Sequence, residues 1–244
     1  MRFVRSVLSG ICFFIFGLGG FIIGSAVFPI IVLFSSKKRR CILAKVIMVS
    51  WKIFVKLMIG FRLIKVDVKN IERLKSCKGK VVIANHPSLI DVVLLVSIIP
   101  NAICVVKSSL LHNIWVSGII KMVYIANNKD VSSFISEAGN LLHQGFNIVI
   151  FPEGTRTKPD DVEHHLYRGF AQLALYAKVP ILPIVIKNNP SILGKGQGWY
   201  NVGDKVSVYT ITVCDDINIP LQKVENFHKT SKEIVSIVKS IFFS

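Results

Sequence analysis

The fold is decided by one stretch of the chain, Val81-Val82-Ile83-Ala84-Asn85-His86-Pro87-Ser88-Leu89-Ile90-Asp91. The apolar run at 81–84 predicts a short buried strand. Pro87 ends this strand, and Ser88 can cap a following helix. His86 then lies at the carboxyl end of the strand, which is where open α/β sheets bind their ligands.

The spacing of His86 and Asp91 suggests a general base with a carboxylate that orients it. A helix that starts at Ser88 places Asp91 in its first turn, within reach of the imidazole. A hydrogen bond between Asp91 and Nδ1 would fix the tautomer and leave Nε2 as an acceptor for a substrate hydroxyl. No serine or cysteine nucleophile is then required.

A structural interpretation of the same residues stays open. The sequence Ser88-Leu89-Ile90-Asp91 also matches a helix capping box with the carboxylate at the third helical position. The pair alone does not decide between catalysis and capping.

A second motif, Phe151-Pro152-Glu153-Gly154-Thr155-Arg156-Thr157, follows the apolar run 147–150, which predicts another buried strand. Gly154 lets the backbone approach a ligand closely, and Thr155 offers a hydroxyl. Arg156 carries the planar set of donors that binds a phosphate in bidentate fashion. The alternative is a plain strand-to-turn connection with a solvated arginine.

Together, the motifs NHPSLID at 85–91 and FPEGTR at 151–156 resemble the glycerolipid acyltransferase family, and within it the bacterial 1-acylglycerol-3-phosphate acyltransferases. The resemblance covers about residues 60–190, because Val179-Pro180-Ile181-Leu182-Pro183-Ile184 is similar to the family's late proline-containing strand. It implies a central mixed sheet flanked by helices, preceded by two membrane-anchoring helices.

The resemblance also implies the reaction and its participants. A fatty acyl group would pass from an acyl carrier protein or coenzyme A thioester to the hydroxyl of a lysophospholipid, without a metal or other cofactor. Arg156 would bind the acceptor's phosphate, together with Lys107 in a stretch that resembles the family's lysine-bearing motif. Glu153 would orient Arg156 or an acceptor hydroxyl, and Arg168 resembles a position near the acceptor.

Two departures from the family pattern concern the acceptor. Many members carry an Ile-Asp-Arg triplet where this chain has Ile125-Ala126-Asn127, and a proline where it has Ile114. One positive charge is therefore missing. The alternative acceptor is another lysolipid, such as a lyso-ornithine lipid, and a non-catalytic membrane-surface protein is a further alternative.

The composition favours a membrane surface over a nucleic acid. The 244 residues carry a formal net charge of +16, and the mean hydropathy is +0.56. Nucleic-acid binders are basic but seldom so apolar, whereas an anionic bilayer or acidic substrates explain both values. The five cysteines lack metal-ligand or disulfide spacing, which is typical of the reducing cytosolic side.

Residues 7–34 form an apolar run flanked by Arg2 and Arg5 and by a tetrabasic cluster at 37–40. The run is longer than a bilayer core of about 30 Å requires. Glycines and Pro29 allow a hairpin that returns to one side; a single tilted span and a cleaved signal peptide are the alternatives. We expect the catalytic domain on the cytoplasmic side of the inner membrane.

Residues 41–65 predict a basic amphipathic helix with lysines 45, 52 and 56 on one face. Trp51 and Phe54 are expected at headgroup level, although the same pattern would suit a helix docked on the catalytic domain.

The remaining pattern alternates strands and helices and predicts an α/β domain at 63–244 after membrane-anchoring helices at 1–62. The predicted strands are 63–68, 81–84, 102–106, 147–151, 181–186 and 206–213. The predicted helices are 91–99, 132–144, 165–178 and 221–241.

Overall fold

A computed structural model describes the backbone of residues 2–31, 33–107, 124–127, 131–157, 165–219 and 226–243. It describes the side chains of the same residues except those at 36, 37, 106, 107 and 124–127.

The described strands form one mixed sheet of seven strands in the order β1-β7-β6-β2-β5-β3-β4. Strands β2 to β6 run parallel to one another, β7 is antiparallel to β6, and β1 is parallel to β7. The predicted mixed α/β sheet is therefore confirmed. The strands are β1 (Ile64–Lys69), β2 (Val81–Ala84), β3 (Ala102–Lys107), β4 (Tyr124–Asn127), β5 (Asn147–Ile150), β6 (Ile181–Asn189) and β7 (Ser207–Val213).

Helices cover both faces of this sheet. A π-helical turn at Ile23–Val27 joins the first two of them. The described helices are α1 (Arg2–Ile22), α2 (Phe28–Ile31), α3 (Ser36–Gly60), α4 (Ile71–Lys75), α5 (Asp91–Val96), α6 (Val131–His143), α7 (Gly169–Ala177) and α8 (Phe227–Phe242).

The central strands β2 and β5 send their connections to opposite faces of the sheet. Val82 and Val149 pack in the apolar core that contains α3 and α5. Their neighbours Ile83 and Ile148 pack in the core of the other face, with α6, α7 and α8. Because β2 leads to α5 on one face and β5 leads to α7 on the other, the carboxyl ends of these two strands are the place where open α/β sheets have their crevice. Both sequence motifs begin at this crevice.

The N-terminal elements form one continuous helix from Arg2 to Ile31, followed by α3, which packs back against it. In the part of the chain that the structure describes, this is the one helix long and apolar enough to cross a membrane. The predicted break at the glycines is absent; a single π-helical turn precedes Pro29, which lacks the N–H that a regular helix needs. The ring pairs Phe13–Phe54 and Phe16–Trp51 show that the two helices are antiparallel.

The second predicted helix is shifted from its expected place. Helix α3 runs from Ser36 to Gly60 rather than from 41 to 65, because Arg62 adopts a left-handed conformation (φ 53°) and β1 begins at Ile64. The headgroup position predicted for Phe54 is wrong, since its ring is 2% exposed and lies 5.4 Å from that of Phe13. Trp51 is half-buried at α1, whereas Lys45, Lys52 and Lys56 are exposed.

Other boundaries differ modestly from the prediction. The helix expected at 165–178 begins at Gly169, because the N–H of Tyr167 donates to the carbonyl of Pro152 in an extended segment. Helix α8 is Phe227–Phe242, and residues 221–225 of its predicted range lie outside the described residues, as does Ile114. The division of the chain at residue 62 stays a prediction.

Candidate active site

Both motifs hold His86 from several sides. Its backbone N–H donates to Oε1 of Glu153 at 3.3 Å, and its carbonyl accepts the N–H of Thr157 at 3.1 Å. Its ring stacks on Phe151, with 4.2 Å between ring centroids and 29° between planes. Since the three partners all follow β5, the pairing of β2 with β5 is what brings the two motifs together.

Asp91 is the first residue of α5, and its Oδ2 lies 2.9 Å from Nδ1 of His86. The carboxylate is fully buried. Ser88 donates its backbone N–H to Oδ2 at 2.6 Å and its hydroxyl to Oδ1 at 2.5 Å. One carboxylate therefore binds both Ser88 and His86, but the predicted helix start at Ser88 is wrong: α5 begins at Asp91, with Ile90 at its N-cap, so Asp91 is not at the third helical position.

This geometry assigns the proton of neutral His86 to Nδ1, because an ionised carboxylate can only accept a hydrogen bond. Nε2 is then the acceptor nitrogen. The His86 side chain is 19% exposed, so the ring lies at the surface of the crevice while Asp91 lies beneath it. The pair can accept a proton from a hydroxyl that enters the crevice.

Opposing effects act on the Asp91 carboxyl. Burial raises the pKa of Asp91, and the hydrogen bonds from His86 and Ser88 counteract part of that rise. The nearby Tyr209 is also fully buried, and burial raises the pKa of its phenol, which keeps it neutral. Its hydroxyl lies 3.4 Å from Nδ2 of Asn188.

Glu153 is 8% exposed and helps to shape the turn after β5. Besides binding the backbone of His86, it accepts a hydrogen bond from the hydroxyl of Thr157 on Oε2. Gly154 has a φ of +67°, and a Cβ at this position would come within 2.9 Å of a ring carbon of Tyr167. The turn therefore requires glycine here. Gly154 and Thr155 are exposed at the crevice.

Arg156 connects this turn to the segment after β6. Its Nη1 donates to the carbonyl oxygens of Leu193 at 3.2 Å and Gly194 at 2.9 Å. The N–H of Leu89, within the first motif, also donates to the Leu193 carbonyl. Among the described residues, both hydrogen bonds of Arg156 leave from Nη1, so its remaining N–H groups can still meet an anion.

Two further positions were predicted from the sequence, and the side chain of only one of them, Arg168, is described. Lys107 is the last residue of β3 and pairs in register with Asn127 of β4, but both side chains lie outside the described residues. Arg168 is exposed at the start of α7, and its Nη1 lies 2.8 Å from Nε2 of His228.

Asn85 has a structural role that the sequence interpretation missed. Its Oδ1 accepts the N–H of Ile186 at 2.6 Å, and its Nδ2 donates to the Ile186 carbonyl at 2.8 Å. The side-chain amide thus extends the pairing of β2 with β6 by one step beyond the strand. The available signal was a polar amide between a buried strand and His86. The hydroxyl-bearing Ser88 and Thr157 were the corresponding signals for the contacts with Asp91 and Glu153.

Comparisons with known proteins show the family and the fold. The family model described as Acyltransferase matches residues 65–187. A 1-acyl-sn-glycerol-3-phosphate acyltransferase of Bacillus subtilis is 30% identical over 69% of this chain and 79% of its own length. The enzyme of that name from Saccharomyces cerevisiae is 26% identical over 78% of this chain, and the mouse alpha form is 31% identical over 55%.

The chain spans 64% of the yeast protein and about half of the mouse protein. Among solved structures, the crystal structure of the 1-acyl-sn-glycerophosphate acyltransferase from Thermotoga maritima superimposes with a TM-score of 0.70 and 21% identity. That match covers 98% of this chain and 97% of the other, so the two proteins share a fold. Since the family model covers half of the chain and includes both motifs, the chain belongs to the acyltransferase family.

Proposed function

We propose that this chain is an O-acyltransferase that moves a fatty acyl group from a thioester to the free hydroxyl of a lysophospholipid. The most direct acceptor is 1-acylglycerol-3-phosphate, which would become phosphatidic acid. One observation carries the proposal: Nδ1 of His86 lies 2.9 Å from the buried Asp91, at the crevice between β2 and β5. The names of the matched relatives support the same reaction.

In the proposed mechanism, Nε2 of His86 takes the proton of the acceptor hydroxyl as its oxygen attacks the thioester carbonyl. Asp91 stabilises the imidazolium that forms, because its oxygen faces the protonated Nδ1. The tetrahedral intermediate collapses when the carbon–sulfur bond breaks. The imidazolium returns its proton to the departing thiolate, so the products are an ester and a free thiol.

The acceptor's phosphate would meet the guanidinium of Arg156 and the ammonium of Lys107. The donors of Arg156 that are not bound to Leu193 and Gly194 are suited to a phosphate oxygen. Thr155, exposed on the same turn, adds a hydroxyl. Gly154 leaves room for the acceptor to approach the backbone. The donor would be the thioester of acyl carrier protein or coenzyme A, with no further cofactor.

We further propose that the helices α1 to α3 hold the enzyme on one side of a membrane, the cytoplasmic side of the inner membrane. Both ends of this hairpin bind the α/β domain: Arg5 donates to the carbonyl of Leu63, and Arg40 pairs with Glu137 of α6 at 3.0 Å. Because the hairpin of α1 to α3 is tied along the domain in this way, we infer that the unbroken helix 2–31 lies along one side of the membrane and does not cross it perpendicularly. Its outer surface is apolar, since Phe3 and Phe14 are 80% and 71% exposed.

Location at a membrane suits the reaction. Each methylene group removed from water contributes about 0.8 kcal/mol, so lysolipid acceptors and their products stay in the bilayer. The net charge of +16 would attract anionic lipids and an acidic carrier protein.

Acceptor profiling tests the proposal. The purified chain in vesicles is offered lysophosphatidic acid or other lysolipids, including lyso-ornithine lipid, with acyl carrier protein or coenzyme A thioesters. Mass spectrometry of the products should show phosphatidic acid. If only another lysolipid is acylated, the proposed acceptor is wrong and the alternative acceptor suggested by Asn127 is favoured. No acylation of any lysolipid would overturn the proposed reaction.

A further inference from the structure

The segment 194–205, which we call the α1-bound segment, is fastened to the first three turns of α1. The hydroxyl of Ser6 donates to the carbonyl of Tyr200 at 2.7 Å, and that of Ser9 donates to the carbonyl of Trp199 at 2.6 Å. Ser9 is fully buried by this contact. The guanidinium of Arg2 adds a bond to Oδ1 of Asn201.

Arg5 strengthens this attachment. It donates to the carbonyl oxygens of Gly203 at 3.0 Å and Lys205 at 2.8 Å within the segment, and to those of Arg62 at 2.7 Å and Leu63 at 3.3 Å before β1. Four carbonyls from two segments therefore bind one side chain of α1. The α1-bound segment and the start of α1 are therefore joined by hydrogen bonds from one side chain.

Two aromatic side chains project from this segment beside the apolar surface of α1. Trp199 is 48% exposed and Tyr200 is 61% exposed, with their rings edge to face at 5.6 Å. The inner edge of the Trp199 ring rests on Gly10, where a Cβ would come within 2.9 Å. A shallow cavity beside both rings is also lined by Val7 and Phe14, which are exposed on α1.

The chemistry of this surface fits the interfacial layer of a bilayer. Tryptophan and tyrosine each combine an apolar ring with one polar group, and they concentrate at the level of lipid headgroups. Lys195 and Lys205 are exposed at the two ends of the segment and can meet anionic headgroups; Asp204 is the acidic residue beside them. The surface is continuous with exposed apolar side chains of α1, which argues for lipid as its partner.

We propose that Trp199 and Tyr200 insert into the headgroup layer beside α1, so that the α1-bound segment is a second membrane contact of this protein. The inference rests on the membrane association of α1 proposed above. It adds a contact from the α/β domain itself, at a residue 190 positions after Ser9 in the sequence.

This contact would fix the depth of the reaction. The same segment begins at Gly194, whose carbonyl accepts a hydrogen bond from Nη1 of Arg156. The residue before it, Leu193, accepts a hydrogen bond from the N–H of Leu89 on its carbonyl. A short stretch of backbone thus joins the aromatic pair to both motifs of the site. The lysolipid hydroxyl and His86 would therefore meet at a level that the aromatic pair sets.

Depth-dependent fluorescence quenching tests this inference without measuring activity. The chain contains three tryptophans, so Trp51→Phe with Trp115→Phe leaves Trp199 as the only one. The full-length variant is reconstituted in phosphatidylglycerol-containing vesicles whose acyl chains carry bromine near the headgroup or near the bilayer centre. Trp199 should be quenched more strongly by shallow bromine and shielded from aqueous iodide.

Two matched probes, each in a background with all three tryptophans replaced by phenylalanine, complete the design. Tyr176→Trp, at a 56% exposed position on α7, should be quenched by iodide and not by brominated lipid. Phe14→Trp reports α1 itself. If Phe14→Trp is quenched by lipid and Trp199 is not, or if Trp199 is quenched most by deep bromine, the inference fails alone. If neither is quenched by lipid, the proposed membrane association fails with it.

Discussion

Asp91 controls the orientation of His86 because both oxygens of its buried carboxylate are occupied. Oδ2 accepts from Nδ1 of His86 and the N–H of Ser88, and Oδ1 accepts from the hydroxyl of Ser88. With the carboxylate held by Ser88 and the ring stacked on Phe151, the imidazole keeps Nε2 as its acceptor. A base with a fixed tautomer is what proton transfer from an alcohol requires.

The raised pKa of Asp91 predicts how stability depends on pH. An aspartate has a pKa of about 3.9 in an unfolded chain. Since burial raises the value in the folded protein, the contribution of this group to stability is greatest below pH of about 4 and is lost as the pH rises through the folded pKa. Asparagine does not titrate. The melting temperature of Asp91→Asn, compared with the unchanged protein, should therefore improve as pH rises.

Thermal melts of both proteins in a pH series measure this difference. If the melting temperature of Asp91→Asn instead falls relative to that of the unchanged protein as pH rises, the native site favours the charged carboxylate. The interpretation of Asp91 as a group with a raised pKa would then be wrong.

Arg156 makes structural contacts that its residue type alone does not predict. Its position in the second motif suggested a phosphate ligand, and the fork of donors remains suited to that task. Its contacts to Leu193 and Gly194 also give it a structural role, which depends on a segment almost forty residues later. No local pattern in the sequence encodes that contact.

At the level of elements, the site depends on the neighbouring strands β2 and β5 and on the turn that follows each. The turn after β5 passes close to the ring of Tyr167 at Gly154. At this position the backbone is in a left-handed conformation. Glycine adopts this conformation without the penalty of about 1 to 2 kcal/mol that other residues meet.

Gly154→Ala should therefore lower the free energy of unfolding by about 1 to 2 kcal/mol and reduce turnover, because Glu153 and Arg156 flank the strained position. Gly169→Ala is the matched control: Gly169 begins α7, has no positive φ, and has open space around its Cβ position. Urea unfolding and initial rates measure both effects. Equal effects of the two substitutions would contradict the role of the Gly154 turn.

Elements that form a continuous buried apolar run were predictable even when short, and those without such a run were not. The strand at 81–84 matches β2 in full, and the prediction at 147–151 exceeds β5 by one residue, because buried parallel strands are continuous apolar runs. Strand β4 and helix α4 were missed, since each is short and mixes apolar with polar residues, so that neither an apolar run nor a periodicity marks it. The start of α7 was missed because a tertiary hydrogen bond keeps Tyr167 extended.

At the level of the whole molecule, the hairpin of α1 to α3 shares an apolar core with the sheet rather than standing apart from it. Phe54 and Met58 of α3 lie in the same core as Val82 of β2 and Leu94 of α5. Composition alone predicted a membrane element but not how it attaches. The attachment uses Arg5 and the serines of α1, whose partners are backbone carbonyls and so have no sequence signature.

In the proposed reaction, His86 is a base at the carboxyl edge of the sheet, which the membrane element would hold near lipid hydroxyls. Its central claim is that His86 takes the proton from the acceptor. The most direct test is the turnover of His86→Ala in vesicles, with the acceptor and thioester that profiling identifies, alongside a thermal melt. We predict that turnover falls by about 10²- to 10⁴-fold while the melt stays cooperative. A folded variant with unchanged turnover would contradict the claim.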